Sequence, residues 1–170
     1  MRMSGIRSLG VAATMVLAMG SLVACDSNDN GVEPTQHELV GTWVSTGTDI
    51  APGLMVTLKT KNIVATFNEN NSYTVVATDS SNASVTFTGT WSTTGSAGAI
   101  RAITLNQSTP AALTSQGIFQ VVGTRLTYEV IQTTPAIAGF TAPTVAEGFG
   151  STKYNNVALG AAWTQRFSKQ

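Results

Sequence analysis

From Glu38 onward, apolar and polar residues alternate along the chain with a period of two. That spacing puts one side of a β-strand in a core and the other in water. The cleanest example is Ala83–Ser92: Val85, Phe87, Gly89 and Trp91 fall on one face, and Ser84, Thr86, Thr88 and Thr90 on the other. Similar runs predict strands over Glu38–Thr46, Ile63–Phe67, Ser72–Asp79, Ile100–Gln107, Gly117–Val122, Arg125–Gln132 and Ala161–Ser168. Asn68–Asn71, Ser80–Asn82, the Gly/Ser-rich Thr93–Ala99 and Gly123–Thr124 supply the turns between them. Trp163, Gln165 and Phe167 share a face of the last run.

Two segments break the rhythm. Gly47–Asn62 is apolar but irregular, and Thr133–Gly160 is long and carries Pro135, Pro143 and several glycines. Long unpatterned loops in small domains serve as lids or binding loops. Here each is expected to plug an end of the domain, with room for a short helix. About eight strands in sequence order, joined mostly by tight turns, predict an all-β fold: an antiparallel up-and-down β-barrel, closed because closure leaves no exposed edge. A β-sandwich is the alternative.

The residues ahead of Glu38 follow a different logic. Arg2 and Arg7 precede an apolar stretch from Leu9 to Ala18, too short to span a bilayer, and Leu22-Val23-Ala24-Cys25 follows. This layout is a secretory signal, and its last four residues resemble the lipobox of bacterial lipoproteins. The resemblance implies cleavage before Cys25, acylation of that cysteine and anchorage to membrane lipid. The expected organisation is a signal peptide at 1–24, the lipidated cysteine with a polar tether at 25–37, and the β-barrel domain at 38–170. The implied location is the bacterial cell envelope, with the outer membrane or cell surface favoured. Asp26, Asp29, Glu33 and the sole histidine, His37, read as a solvated spacer.

Charge excludes one class of function. The full chain is formally neutral, with 9 basic and 9 acidic residues, and the lysines and arginines form no run. A nucleic-acid partner needs a phosphate-neutralising patch, so none is expected. Cys25 is the only cysteine, so a disulfide within the chain is impossible.

Leu39 and Gly41-Thr42-Trp43 on the first predicted strand resemble the Gly-x-Trp motif of lipocalins and related calycin barrels, and the chain as a whole is similar in outline to bacterial lipocalin-like lipoproteins. In that family the tryptophan closes one end of the barrel and an arginine of the last strand packs across it, a role that falls to Arg166. The resemblance implies non-catalytic binding of a small hydrophobic or amphipathic ligand inside the barrel. Gly89-Thr90-Trp91 repeats the tripeptide in mid-chain.

Candidate site residues follow. Trp43, Phe67, Phe87, Trp91, Tyr128 and Trp163 are expected to line a ligand cavity, within a larger aromatic set that includes Phe119 and Phe167. Tyr73, Phe140, Phe149 and Tyr154 read as turn or loop residues that could rim an opening. Arg101 shares a face with Ile103 and Leu105; it either meets a ligand inside or, the favoured reading, reaches solvent from the strand start. Glu129, opposite Tyr128 and Val130, is expected to face water. No scaffold histidine, metal-ligand spacing, phosphate loop or dinucleotide fingerprint is present, so neither enzyme activity nor a metal or cofactor is expected. The competing reading is a surface module with a filled core that binds a protein or glycan. A cavity of at least roughly 300 Å³ separates the two.

Overall fold

The computed structural model describes residues 37–170. Cys25 and the segments expected to be a signal peptide and a tether, up to residue 36, lie outside them. Eight strands close into an antiparallel barrel: β1 (Gly41–Thr46), β2 (Thr60–Phe67), β3 (Ser72–Asp79), β4 (Ser84–Thr94), β5 (Arg101–Thr109), β6 (Leu113–Val122), β7 (Arg125–Thr134) and β11 (Gln165–Lys169). Each strand pairs with the next in sequence, and β11 returns to close on β1 through Trp43–Lys169 and Val44–Ser168. This is the up-and-down barrel that the alternation predicts, and the sandwich is excluded.

Both irregular segments acquire structure. Gly47–Asn62 holds a 3-10 turn and helix α1 (Pro52–Leu58). Proline at its first position suits a helix start, and Lys59, with a left-handed φ of 52°, ends it. Thr133–Gly160 carries a small sheet of three two-residue strands, β8 (Phe140–Thr141), β9 (Lys153–Tyr154) and β10 (Val157–Ala158). Trp163 lies not in the last strand but in a 3-10 turn, Gly160–Trp163, just before β11.

The long segment does not plug an end. It lies against the outer face of β7, and Glu129 is what holds it. This carboxylate does point away from the barrel interior, but only 1% of it is exposed, against the expectation that it faces water. Thr152 reaches Oε1 with both its amide (2.7 Å) and its hydroxyl (2.5 Å), while the Gly150 amide and the Thr164 hydroxyl reach Oε2. Ile118, its partner across the ladder, and Ile131 are buried on the same outer face.

One end of the barrel is solid. Leu39, Trp43 and Phe119 are fully buried there, with Ile103, Leu126, Phe67 and Trp91 packed around them. The Trp43 indole N–H donates to the Leu39 carbonyl at 2.8 Å, which fastens the segment before β1 across the opening. The cation over the Trp43 ring is the Lys169 amine, 5.2 Å from its centre. Arg166, the expected partner, is exposed, because alternation along β11 turns Gln165, Phe167 and Lys169 inward and Arg166 outward. Gly41 explains itself here. Its φ of 129° is glycine territory, and a Cβ would stand 2.9 Å from the Lys169 side chain.

Candidate functional site

The inward faces of the strands leave a space at the other end. A cavity of about 330 Å³ runs from the solid core toward the end bearing α1. Its depth is aromatic and aliphatic: Phe67, Leu105, Leu126 and Phe167 sit nearest the closed end, with Tyr73 on β3 and Tyr128 on β7 beside them. Val75, Phe87 and Val130 form the waist. Gln107, Leu113, Ser115 and Gln132 lie near the far ends of β5, β6 and β7, and Leu54 of α1 and Trp163 stand at the edge.

The edge is held by polar contacts. Gln165 accepts the Ala51 amide at 2.8 Å and donates to the Ser45 hydroxyl, tying the start of α1 to β11 and β1. The Trp163 indole N–H donates to the Val130 carbonyl at 3.1 Å, and its ring packs on Phe140, 5.7 Å between centres. Gly53 of α1 lies so close that a Cβ there would sit 2.7 Å from the Trp163 ring. Past that contact the helix turns apolar residues to solvent: Met55, Val56 and Leu58 are exposed.

The structure divides the aromatic residues expected to line a cavity. Phe67, Phe87, Tyr128 and Trp163 line it. Trp43, Trp91 and Arg101 lie elsewhere, at the solid end, where the segment before β1 packs into the interior. Arg101 is buried rather than solvated. It pairs with Glu38 at 3.3 Å, donates to Thr93 Oγ1 at 2.8 Å, and lies 5.5 Å from the Phe119 ring centre. His37 is also no free linker residue. Its ring meets Trp91 edge-on at 4.9 Å, accepts the Leu39 amide at Nδ1 (3.2 Å), and sits 2.9 Å from Thr93 Oγ1 through Nε2. Burial, helped by the nearby Arg101 charge, lowers its pKa from the ordinary imidazole value.

Tyr73, expected near a turn, is instead an inward cavity residue, 3% exposed. The signal was available: it shares the inward parity of β3 with Val75 and Ala77. Burial pushes its phenol up to about 12. Burial raises the Tyr128 phenol further still, and the neighbouring Tyr73 adds to it. Of the other rim candidates, Phe140 and Tyr154 pack on each other in the long segment with tilted rings, 4.9 Å between centres, and Phe149 is half-buried in the same segment; none of the three lines the cavity.

The wall holds no Asp, Glu, His, Lys, Arg or Cys. Among the described residues no three His, Cys, Asp or Glu side chains come together in a way that could hold a metal ion, and no helix is long and apolar enough to cross a membrane. What the arrangement offers is a concave apolar volume with a few polar groups, the usual form of a small-molecule site. Compared with protein-family models, curated proteins and solved structures, the chain has no match.

Proposed function

We propose that this chain is a membrane-anchored cell-envelope lipoprotein whose lipocalin-like barrel binds a small hydrophobic or amphipathic molecule without chemically changing it. The observation that carries the binding reading is the apolar cavity of about 330 Å³ inside a barrel sealed at one end. A filled core, which the surface-module reading requires, is not what the deeper aromatics build. The non-catalytic reading rests on the wall's composition: its hydroxyls are those of Ser115, Tyr73 and Tyr128, and no histidine, carboxylate or amine lines it beside them to act as general base. The lipoprotein part rests on Leu22–Cys25 and the charged and apolar stretch before it. Burying a single acyl chain gives only marginal attachment, so acylation of Cys25 with more than one chain is the implied anchor.

Two measurements test it. Native mass spectrometry of the full chain, purified from its own host in mild detergent, is expected to show a retained small molecule; uniformly bare protein would count against the carrier. Metabolic labelling with a radioactive fatty acid is expected to mark the wild type and not Cys25→Ser. Equal labelling of both, or of neither, removes the anchor from the reading.

A further inference from the structure

The cavity is not uniformly apolar, and its unused polar groups are unequal. The side-chain NH2 groups of Gln107 and Gln132 already donate to the Ala111 carbonyl (2.9 Å) and the Pro135 carbonyl (2.7 Å), and with the Ser115 hydroxyl they lie toward the far strand ends, away from the deep part of the cavity. Gln165 is engaged at both ends. Tyr73 and Tyr128 differ. Neither hydroxyl has a hydrogen-bond partner among the described residues, and both side chains line the cavity. They come from β3 and β7, which lie opposite each other in the eight-strand ring, so the two phenols address the same deep space from opposite walls. Each phenol oxygen opens on the cavity and is not enclosed by packed side chains, so an oxygen-bearing ligand that displaces water from this space gains by pairing with them.

Charge narrows that ligand further. No cation lines the wall. Arg101 is committed to Glu38 and Thr93 at the solid end, and the Lys169 amine lies over Trp43. A carboxylate drawn into this space would lose its hydration with no ion to replace it, which is the most expensive way to bury a polar group. The raised ionisation of both phenols reports the same aversion to negative charge.

We infer that the cavity selects an uncharged amphiphile, an alcohol or carbonyl compound with an apolar body, whose oxygen is held by the hydroxyls of Tyr73 and Tyr128, and that it discriminates against the matching carboxylate. This inference rests on the cavity being a ligand site, as proposed above.

The test uses the full chain in mild detergent and the neutral fluorescent probe N-phenyl-1-naphthylamine, displaced by decan-1-ol or by decanoate at about pH 8. Decan-1-ol is expected to compete at least about tenfold more tightly than decanoate, a difference set by the desolvated charge. In Tyr73→Phe/Tyr128→Phe, which keeps both rings, decan-1-ol is expected to weaken about tenfold. The double variant's circular dichroism spectrum and cooperative thermal transition show that it folds, and the ratio of decan-1-ol to probe affinity in each protein separates loss of the hydroxyls from a general loss of binding. If the probe binds but decanoate equals or beats decan-1-ol, or the double variant holds the alcohol as tightly as wild type, the inference falls while the cavity remains a binding site. If the probe binds neither protein, the carrier reading fails and the inference fails with it.

Discussion

Thr152 donates twice to one oxygen of Glu129, through its amide at 2.7 Å and its hydroxyl at 2.5 Å. With the Gly150 amide and the Thr164 hydroxyl on the other oxygen, the carboxylate is the point where the long segment between β7 and β11 is fastened to the barrel. The burial is tolerable because the donors replace water one for one. Hydrogen bonds to a charged group contribute roughly 1.5–3 kcal/mol each and do not add simply.

Glu129→Ala is therefore expected to cost about 3–5 kcal/mol, since it orphans buried amides as well as removing a charge. Glu129→Gln keeps the shape but turns an NH2 group toward a donor, and is expected to cost about 1–3 kcal/mol. Urea titration measures both. Limited proteolysis should show new cleavage within 135–160 at a urea concentration below the global midpoint. A loss under about 0.5 kcal/mol for the alanine variant contradicts the fastening role.

How far the sequence reaches is visible in the same residue. Alternation along β7 puts Glu129 on the outer face, and that is where it is. What alternation cannot say is that a distant segment folds over that face, because period two reports a side of a strand and not what covers it. His37 escaped for a similar reason: its partners Trp91 and Thr93 lie more than fifty residues away, beyond any local pattern. Lys169 was legible. It has the inward parity of Gln165 and Phe167, which Arg166 lacks, so the family's arginine position misled where the alternation did not. The strands themselves were readable because each has one wet face, whereas Trp163 keeps the cavity side while leaving the strand for a 3-10 turn.

Lys169→Ala is expected to lose about 0.5–1 kcal/mol, the size of an exposed cation over an indole face. Arg166→Ala, on the same strand but turned to solvent, should stay within about 0.5 kcal/mol of wild type. Chemical denaturation of the two side by side distinguishes them, and a larger loss at Arg166 reverses the assignment.

The solid end should weaken in mild acid. Nδ1 of His37 accepts the Leu39 amide, so the neutral ring carries its proton on Nε2, toward Thr93. Protonation would set a second N–H against that amide. The charged groups nearest the ring are Arg101, which opposes protonation, and Glu38, which favours it; burial and Arg101 outweigh Glu38, and the folded pKa lies below the unfolded value. The unfolded chain then binds more protons, so stability is complete above about pH 6.5 and falls as pH drops through the folded pKa. Asp79 and Glu147, whose carboxyls are also lowered, lose their contributions only further down, in the carboxylate range. Unfolding midpoints for wild type and His37→Asn between about pH 8 and 5 should converge as pH falls. A gap that widens in acid means the sign is wrong.

Adjacent residues of β3 offer the sharpest test of where a ligand goes. Val75 lines the cavity, and Val76 has the opposite parity and faces outward. Phe at 75 extends into empty volume, so it need not displace packed neighbours as overpacking of a dense core does. Val75→Phe is thus expected to lower affinity for N-phenyl-1-naphthylamine by about tenfold or more, with a thermal midpoint at or above that of wild type. Val76→Phe adds the same ring to the same strand and should leave probe affinity within about twofold. The pair separates occupancy of the barrel from adsorption to its surface, because apolar area gained is equal and only the face differs. Loss of binding in Val76→Phe with retention in Val75→Phe would put the site on the outer wall, and the barrel interior would then be a void with no ligand to hold.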